Sequence, residues 1–143
     1  MNRKALKRPS KARSQIMRAV TSQDTKPELI VRRLVHGLGY RFRLHRRELP
    51  GKPDLVLPKY RTVIFVNGCF WHAHDCKRGA RLPKANAAYW QTKIARNVDR
   101  DRQNLLLLRE SGWTPVVIWE CELKDLVRLR KRVLRSLKER TLE

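Results

Sequence analysis

Hydrophobic positions recur along this chain in two rhythms. In "TKPELIVRRLVHGLGY", Leu29, Ile30, Leu34, Val35 and Leu38 share one helical face. Thr25 is placed to cap that helix, Pro27 falls in its first turn, Glu28 completes a capping-box pattern and Gly39 marks the stop. "YRFRLH" then alternates, predicting a half-buried strand with Tyr40, Phe42 and Leu44 inward and Arg41, Arg43 and His45 outward. "LPGK" reads as a turn. "PDLVL" and "TVIFV" read as short apolar strands separated by "PKYR". A long helix is predicted from near Ala87 to Ser111, with Gly112 ending it. "WTPVVIW" is a further buried strand, and "ELKDLVRLRKRVLRSLKER" a basic amphipathic helix.

The order is helix, three strands, helix, strand, helix. Three successive strands allow an antiparallel meander, and strand–helix–strand allows a parallel crossover. The expected fold class is therefore α/β, a mixed sheet flanked by helices. With 143 residues, one domain over 14–143 is expected behind a flexible basic arm over 1–13.

Charge narrows the function. Lys and Arg number 34 against 13 acidic residues, a formal net charge of +21. Such an excess repels itself unless a polyanion screens it, so nucleic acid is the expected partner. An anionic membrane surface and a ribosomal site are the alternatives. The N-terminus has no apolar signal region, and no apolar run approaches the roughly 20 residues of a membrane span. No membrane association and a cytoplasmic location are expected. With three cysteines and no export signal, a disulfide framework is not expected, and clustered Cys and His point to metal.

"VNGCFWHAHDC" concentrates the reactive side chains. Cys69, His74, Cys76 and the distant Cys121 make a set suited to a closed tetrahedral Zn²⁺ site. The alternative is buried free cysteines beside an unrelated pair. His72 is then the histidine left over, a candidate general base or an ordinary surface histidine. Phe70 and Trp71, large rings on a polar loop, suggest stacking on bases or a wedge between base pairs. Trp90 suits either a helix core or a second wedge. Asp54 opens an apolar strand behind a proline, beside a main-chain carbonyl of the next strand, a donor set that suits Mg²⁺; a turn-capping Asp is the alternative. Glu28 is explained by its capping box unless the fold brings it to Asp54. Lys93, Arg96, Asn97 and Arg100 lie on neighbouring helical turns, as a phosphate-contacting face or a solvated charged one.

Taken in order, "DTKPE", "LPGKPDLVLP", "VIFVNGCFWHAHDC", "YWQTKIARNVDRD" and "GWTPVVIWEC" resemble the very short patch repair (Vsr) DNA mismatch endonucleases, over about residues 13 to 125. The resemblance implies a restriction-endonuclease-like fold with a structural zinc site. It implies an enzyme that nicks the T-containing strand 5′ to the T of a T·G mismatch, the product of 5-methylcytosine deamination. Carried over by motif, Asp54 and the main-chain carbonyl of Val66 hold catalytic Mg²⁺, His72 is the catalytic histidine and Glu28 assists through water. Cys69, His74, Cys76 and Cys121 hold structural Zn²⁺, and Phe70, Trp71 and Trp90 intercalate. Asn67 stands where some members carry a second active-site His; it can donate a hydrogen bond but cannot shuttle a proton. "IFVN" also lacks the acidic residue and Lys of the wider nuclease superfamily, leaving the Lys role to His72.

The expected partner is thus double-stranded DNA with a T·G mismatch, bound by a monomer near the nucleoid, with mismatch-repair helper proteins as further partners. Two other readings stay open. One is a nuclease without mismatch preference; the other is a non-catalytic, zinc-stabilised DNA-binding module.

Overall fold

Thr25 opens the first helix and Gly39 closes it, as the punctuation predicts. The structure, a computed structural model, describes residues 25–69, 72, 74, 76 and 84–141. The basic arm over 1–13 and the rings of Phe70 and Trp71 lie outside those residues. Helix α1 spans Lys26–Gly37, and Thr25 Oγ1 accepts from the Glu28 amide at 3.5 Å. Beyond it Gly39 takes φ +91°, a left-handed conformation that a β-carbon would disfavour. The buried face is rotated from the expected one. Val31 and Val35 are fully buried, whereas Leu29 is 39% exposed. Positions 28, 31, 35 and 38 form one stripe at helical spacing, so the inward line begins on an acidic residue, the buried Glu28.

The remaining elements are β1 (Arg43–Leu44), β2 (Leu55–Leu57), a 3-10 turn (Pro58–Tyr60), β3 (Thr62–Asn67), α2 (Ala87–Glu110), β4 (Thr114–Trp119), a second 3-10 turn (Glu120–Lys124) and α3 (Leu126–Thr141). Sheet order is β1-β2-β3-β4. The first two pairings are antiparallel, and β3 pairs β4 in parallel across the α2 crossover. This is the mixed sheet that the element order predicts. Its first strand is shorter than expected and its alternation breaks. Leu44 is 41% exposed, while His45, expected outward, is partly buried. His45 has φ +48°, which takes the backbone out of the extended region and turns the side chain off the face that alternation assigns it.

Alternation along the other strands makes two layers. Leu55, Leu57, Ile64, Val116 and Ile118 pack against Val31 and Val35 of α1 and Leu129, Val133 and Leu137 of α3. Val56 and Val63 face the opposite way, against Leu108 of α2 and Trp113. Each fully buried aliphatic side chain contributes about 2 kcal/mol. Packing on both sides therefore fixes where the strand ends fall. The turn before β2 packs equally closely: Gly51 has φ +78°, and a β-carbon there would come 3.0 Å from Phe65 Cε1.

The C-terminal segment, expected as one helix, divides at Asp125. Its backbone is non-helical, and its carboxylate accepts from the Arg128 amide at 3.1 Å, starting a new helix. Among the described residues no helix is long and apolar enough to cross a membrane. Parallel β3 and β4 finish together at Asn67 and Trp119. Antiparallel β2 begins at that same end, directly after Asp54. The reactive side chains gather there.

Candidate active site and metal centres

Asp54 extends the ladder one residue beyond β2. Its amide donates to the Ile64 carbonyl at 3.0 Å, and its Oδ2 accepts from the Val66 amide at 2.6 Å. In an extended strand a residue's N–H and C=O point to the same edge. The Val66 carbonyl therefore faces the edge that carries the Asp54 carboxylate. Burial pushes the Asp54 carboxyl up to about 6. The Val66 amide opposes that rise, the Glu28 charge adds to it, and His45 and Arg32 oppose it. A carboxylate held so far from its solution value suits a site that receives positive charge.

The fold supplies the proximity that the sequence leaves open. Glu28, from α1, reaches the same end of the sheet. His45 Nε2 lies 3.2 Å from Glu28 Oε2, and Arg32 Nη2 donates to that oxygen at 3.2 Å. Glu28, His45 and Asp54 each offer a ligand atom within 4.8 Å of the others. Two carboxylates and an imidazole suit a divalent cation. His45 is a residue that sequence reasoning missed, because alternation placed it in solvent. The helical stripe through positions 28, 31 and 35 is the signal that would have turned Glu28 inward.

The second cluster also forms. One ligand atom from each of Cys69, His74, Cys76 and Cys121 lies within 4.8 Å of the others. Cys121 Sγ is 3.5 Å from His74 Nδ1. A tetrahedron with metal–sulfur and metal–nitrogen bonds of about 2.3 and 2.1 Å has an edge near 3.6 Å, so this spacing fits zinc-type geometry. Burial pushes the Cys69 thiol up to about 12, a state that a bound cation reverses by favouring the thiolate. The His74 amide donates to the Cys69 carbonyl at 3.0 Å, and the Cys76 amide to the His74 carbonyl at 2.8 Å, which curls the loop around the four donors.

Trp119, expected as core, is the platform between the loop's two histidines. His74 stacks on it at 4.1 Å between ring centres, and His72 meets it edge-on at 6.3 Å. His72 Nδ1 is hydrogen-bonded to the carboxylate of Asp101 on α2. A carboxylate only accepts, so Nδ1 carries a proton toward it, and in the neutral ring Nε2 is left with the lone pair that a general base needs. Asp101 is the other residue missed, since a single Asp in a charged helix carries no sign of a partner 29 residues away. Asn67 ends β3 opposite Trp119, and alternation directs its side chain to the α2 side of the sheet.

On α2, Lys93, Arg96 and Arg100 are exposed and Asn97 is half-buried, on successive turns. Trp90 is 1% exposed and meets Tyr89 edge-on at 5.0 Å. In this arrangement its ring is packing, and stacking on a base would require it to leave that position. Lys93 Nζ sits 5.8 Å from the centre of the Trp90 ring.

Similarity to known proteins agrees with this site. The family described as DNA mismatch endonuclease Vsr matches residues 7–78. The chain is 50% identical over 121 residues to the Type II nicking enzyme V.XorIIP of Xanthomonas oryzae pv. oryzae, covering 85% of this chain and 88% of the relative. It is 41% identical over 122 residues to the DNA mismatch endonuclease Vsr of Escherichia coli strain K12, covering 85% and 78% respectively. Among solved structures, the catalytic domain of the homing endonuclease I-Bth0305I superposes with a TM-score of 0.59 at 19% identity, over 82% of this chain and 98% of that one, a likeness of fold alone. With sequence, fold and clustered side chains in agreement, the chain belongs to the Vsr DNA mismatch endonuclease family and is a DNA endonuclease.

Proposed function

We propose that this endonuclease nicks the T-containing strand 5′ to the T of a T·G mismatch, with Mg²⁺ at Asp54 and structural Zn²⁺ at the cysteine cluster. One observation carries the reading. A single loop holds both His72, bonded to Asp101, and three of the four clustered donors, Cys69, His74 and Cys76, at the sheet end where Asp54 and Glu28 converge. Of the relatives' names, nicking enzyme supports cleavage of one strand and mismatch endonuclease supports action at a mismatch.

Asp54 and the Val66 carbonyl would hold the Mg²⁺, with Glu28 acting through water. A divalent cation bound there supplies charge stabilisation to the phosphate and to its attacking and leaving oxygens. The chain's own residues do the rest. His72 Nε2 accepts the proton of the attacking water, and Asp101 steadies the imidazolium that results. Lys93, Arg96 and Arg100 neutralise backbone phosphates, with Asn97 as a neutral hydrogen-bonding partner. Phe70 and Trp71, on the zinc-fastened loop, part the base step. Unstacking costs a few kcal/mol and is easier at a wobble pair, which couples mismatch recognition to delivery of His72.

Two expected outcomes check this. Asp101→Asn lowers the nicking rate by about 10²-fold or more and leaves DNA affinity unchanged, because the ring loses its orienting anion. An unaltered rate would remove the His72–Asp101 pair from the mechanism. In competition binding without divalent cation, a T·G duplex binds at least about tenfold tighter than its C·G counterpart, a difference of about 1.4 kcal/mol. Equal binding would favour a nuclease without mismatch preference.

A further inference from the structure

We propose that His45 Nε2 is a third protein donor to the cation centre, beside the Asp54 carboxylate and the Val66 carbonyl, and that it tilts this centre toward Mn²⁺ over Mg²⁺. The inference rests on the reading that Asp54 holds the catalytic cation.

His45 is set by its backbone. At φ +48° it occupies the left-handed region, which side-chain-bearing residues adopt only when their surroundings hold them there. A histidine left in solvent on the strand would not need that conformation. Here it swings the ring beneath α1, where Nε2 is 3.2 Å from Glu28 Oε2 and a ring nitrogen lies within 4.8 Å of an Asp54 oxygen. Arg32 Nη2 lies 3.4 Å from the same nitrogen. Nε2 thus stands between a donor and an acceptor: the Arg32 contact is satisfied when it carries its lone pair, the Glu28 contact when it carries a proton, and a cation bound there would select the first state. Glu28 Oε2 is then left to accept from a water on that cation, the role already proposed for it.

The chemistry of the donor sets the preference. Mg²⁺ binds hard oxygens and gives up water reluctantly, so it gains little from an imidazole. Mn²⁺ accepts nitrogen as well as oxygen and tolerates less regular geometry. An oxygen-only site at Asp54 would serve Mg²⁺ well. The added nitrogen raises affinity for Mn²⁺ selectively.

The test uses the full-length, zinc-loaded protein in its wild-type, His45→Asn and Asp54→Asn forms. Asparagine is chosen because it tolerates the left-handed backbone. Mn²⁺ binding is read from the paramagnetic resonance of the free ion, and Mg²⁺ binding by competition against Mn²⁺. Pulsed resonance of bound Mn²⁺ reports a coordinated ¹⁴N directly. In the wild type the nitrogen coupling is expected, and it persists in His72→Ala. His45→Asn abolishes it, weakens Mn²⁺ binding by about tenfold or more, and changes Mg²⁺ binding by less than about threefold. A wild-type spectrum without nitrogen coupling overturns the inference whatever the variants do, as do equal losses for the two cations. If Asp54→Asn leaves cation binding intact, the underlying cation centre is itself wrong. If Asp54→Asn abolishes binding while His45→Asn keeps the Mn²⁺ to Mg²⁺ ratio, only the role of His45 fails.

Discussion

Asp54→Asn is expected to abolish nicking, by about 10³-fold or more, while making the cation-free protein more stable at pH 8. The loss follows from removing the anionic donor; 10³-fold corresponds to about 4 kcal/mol of transition-state stabilisation. The gain follows from linkage. The Asp54 carboxyl is raised from 3.8 to about 6 by burial, so the folded chain binds its proton more tightly than the unfolded chain does. That contribution is fully present below about pH 4 and is lost as pH rises through about 6. Above this window the ionised carboxylate costs the fold up to about 3 kcal/mol, which asparagine avoids while its oxygen still accepts from the Val66 amide. The melting temperature should rise by roughly 5–10 °C. Added Mg²⁺ should stabilise the wild type and not the variant, and its affinity should fall by up to about tenfold per pH unit below about 6. Thermal melts with and without Mg²⁺, beside single-turnover nicking, read all of this. A variant that is inactive and also less stable would mean that Asp54 serves the fold rather than a cation.

Cys121→Ser carries the second large effect. Cys121 lies just past β4 in sequence, whereas Cys69, His74 and Cys76 belong to the loop after β3. A common ion held by the four would tie the loop to the sheet end. Structural zinc contributes about 10 kcal/mol or more to the smallest zinc domains. This chain has its own two-sided core, so the loss should be smaller, on the order of 5 kcal/mol. Zinc content, read by plasma emission, should fall from one per chain. Nicking should fall by about 10²-fold or more, because His72 sits between two of the ligands and its partner Asp101 is on another element. Chelating the wild type should reproduce both changes. A metal-free chain that melts and nicks like the wild type would dissolve the proposed link between fastening and chemistry.

Local signals were legible where neighbours in sequence decide the structure. Thr25, Pro27 and Gly39 frame α1 because capping and left-handed stops are local effects. The loop from Cys69 to Cys76 announced its cluster of donors because soft side chains have few other reasons to gather. What could not be read depends on elements meeting. Glu28 was fully accounted for by its own capping box until α1 packed it beside a residue 17 positions away. His45 followed the strand rhythm until one left-handed torsion reversed it, and nothing in "RLHRRE" signals that turn. Asp101 is one of several charges on α2, singled out only when the crossover lays that helix over the loop. Trp119 read as core from its strand, yet its position at the strand's end makes it the surface on which the loop's histidines rest.

Strand-specific nicking of two labelled duplexes, identical except for T·G against C·G within a cytosine-methylation-type site, tests the central claim most directly. With Mg²⁺ present, the account predicts one nick, 5′ to the mismatched T, in the T·G duplex alone and none with Asp54→Asn. Equal cutting of both duplexes, or cutting that survives Asp54→Asn, would contradict it.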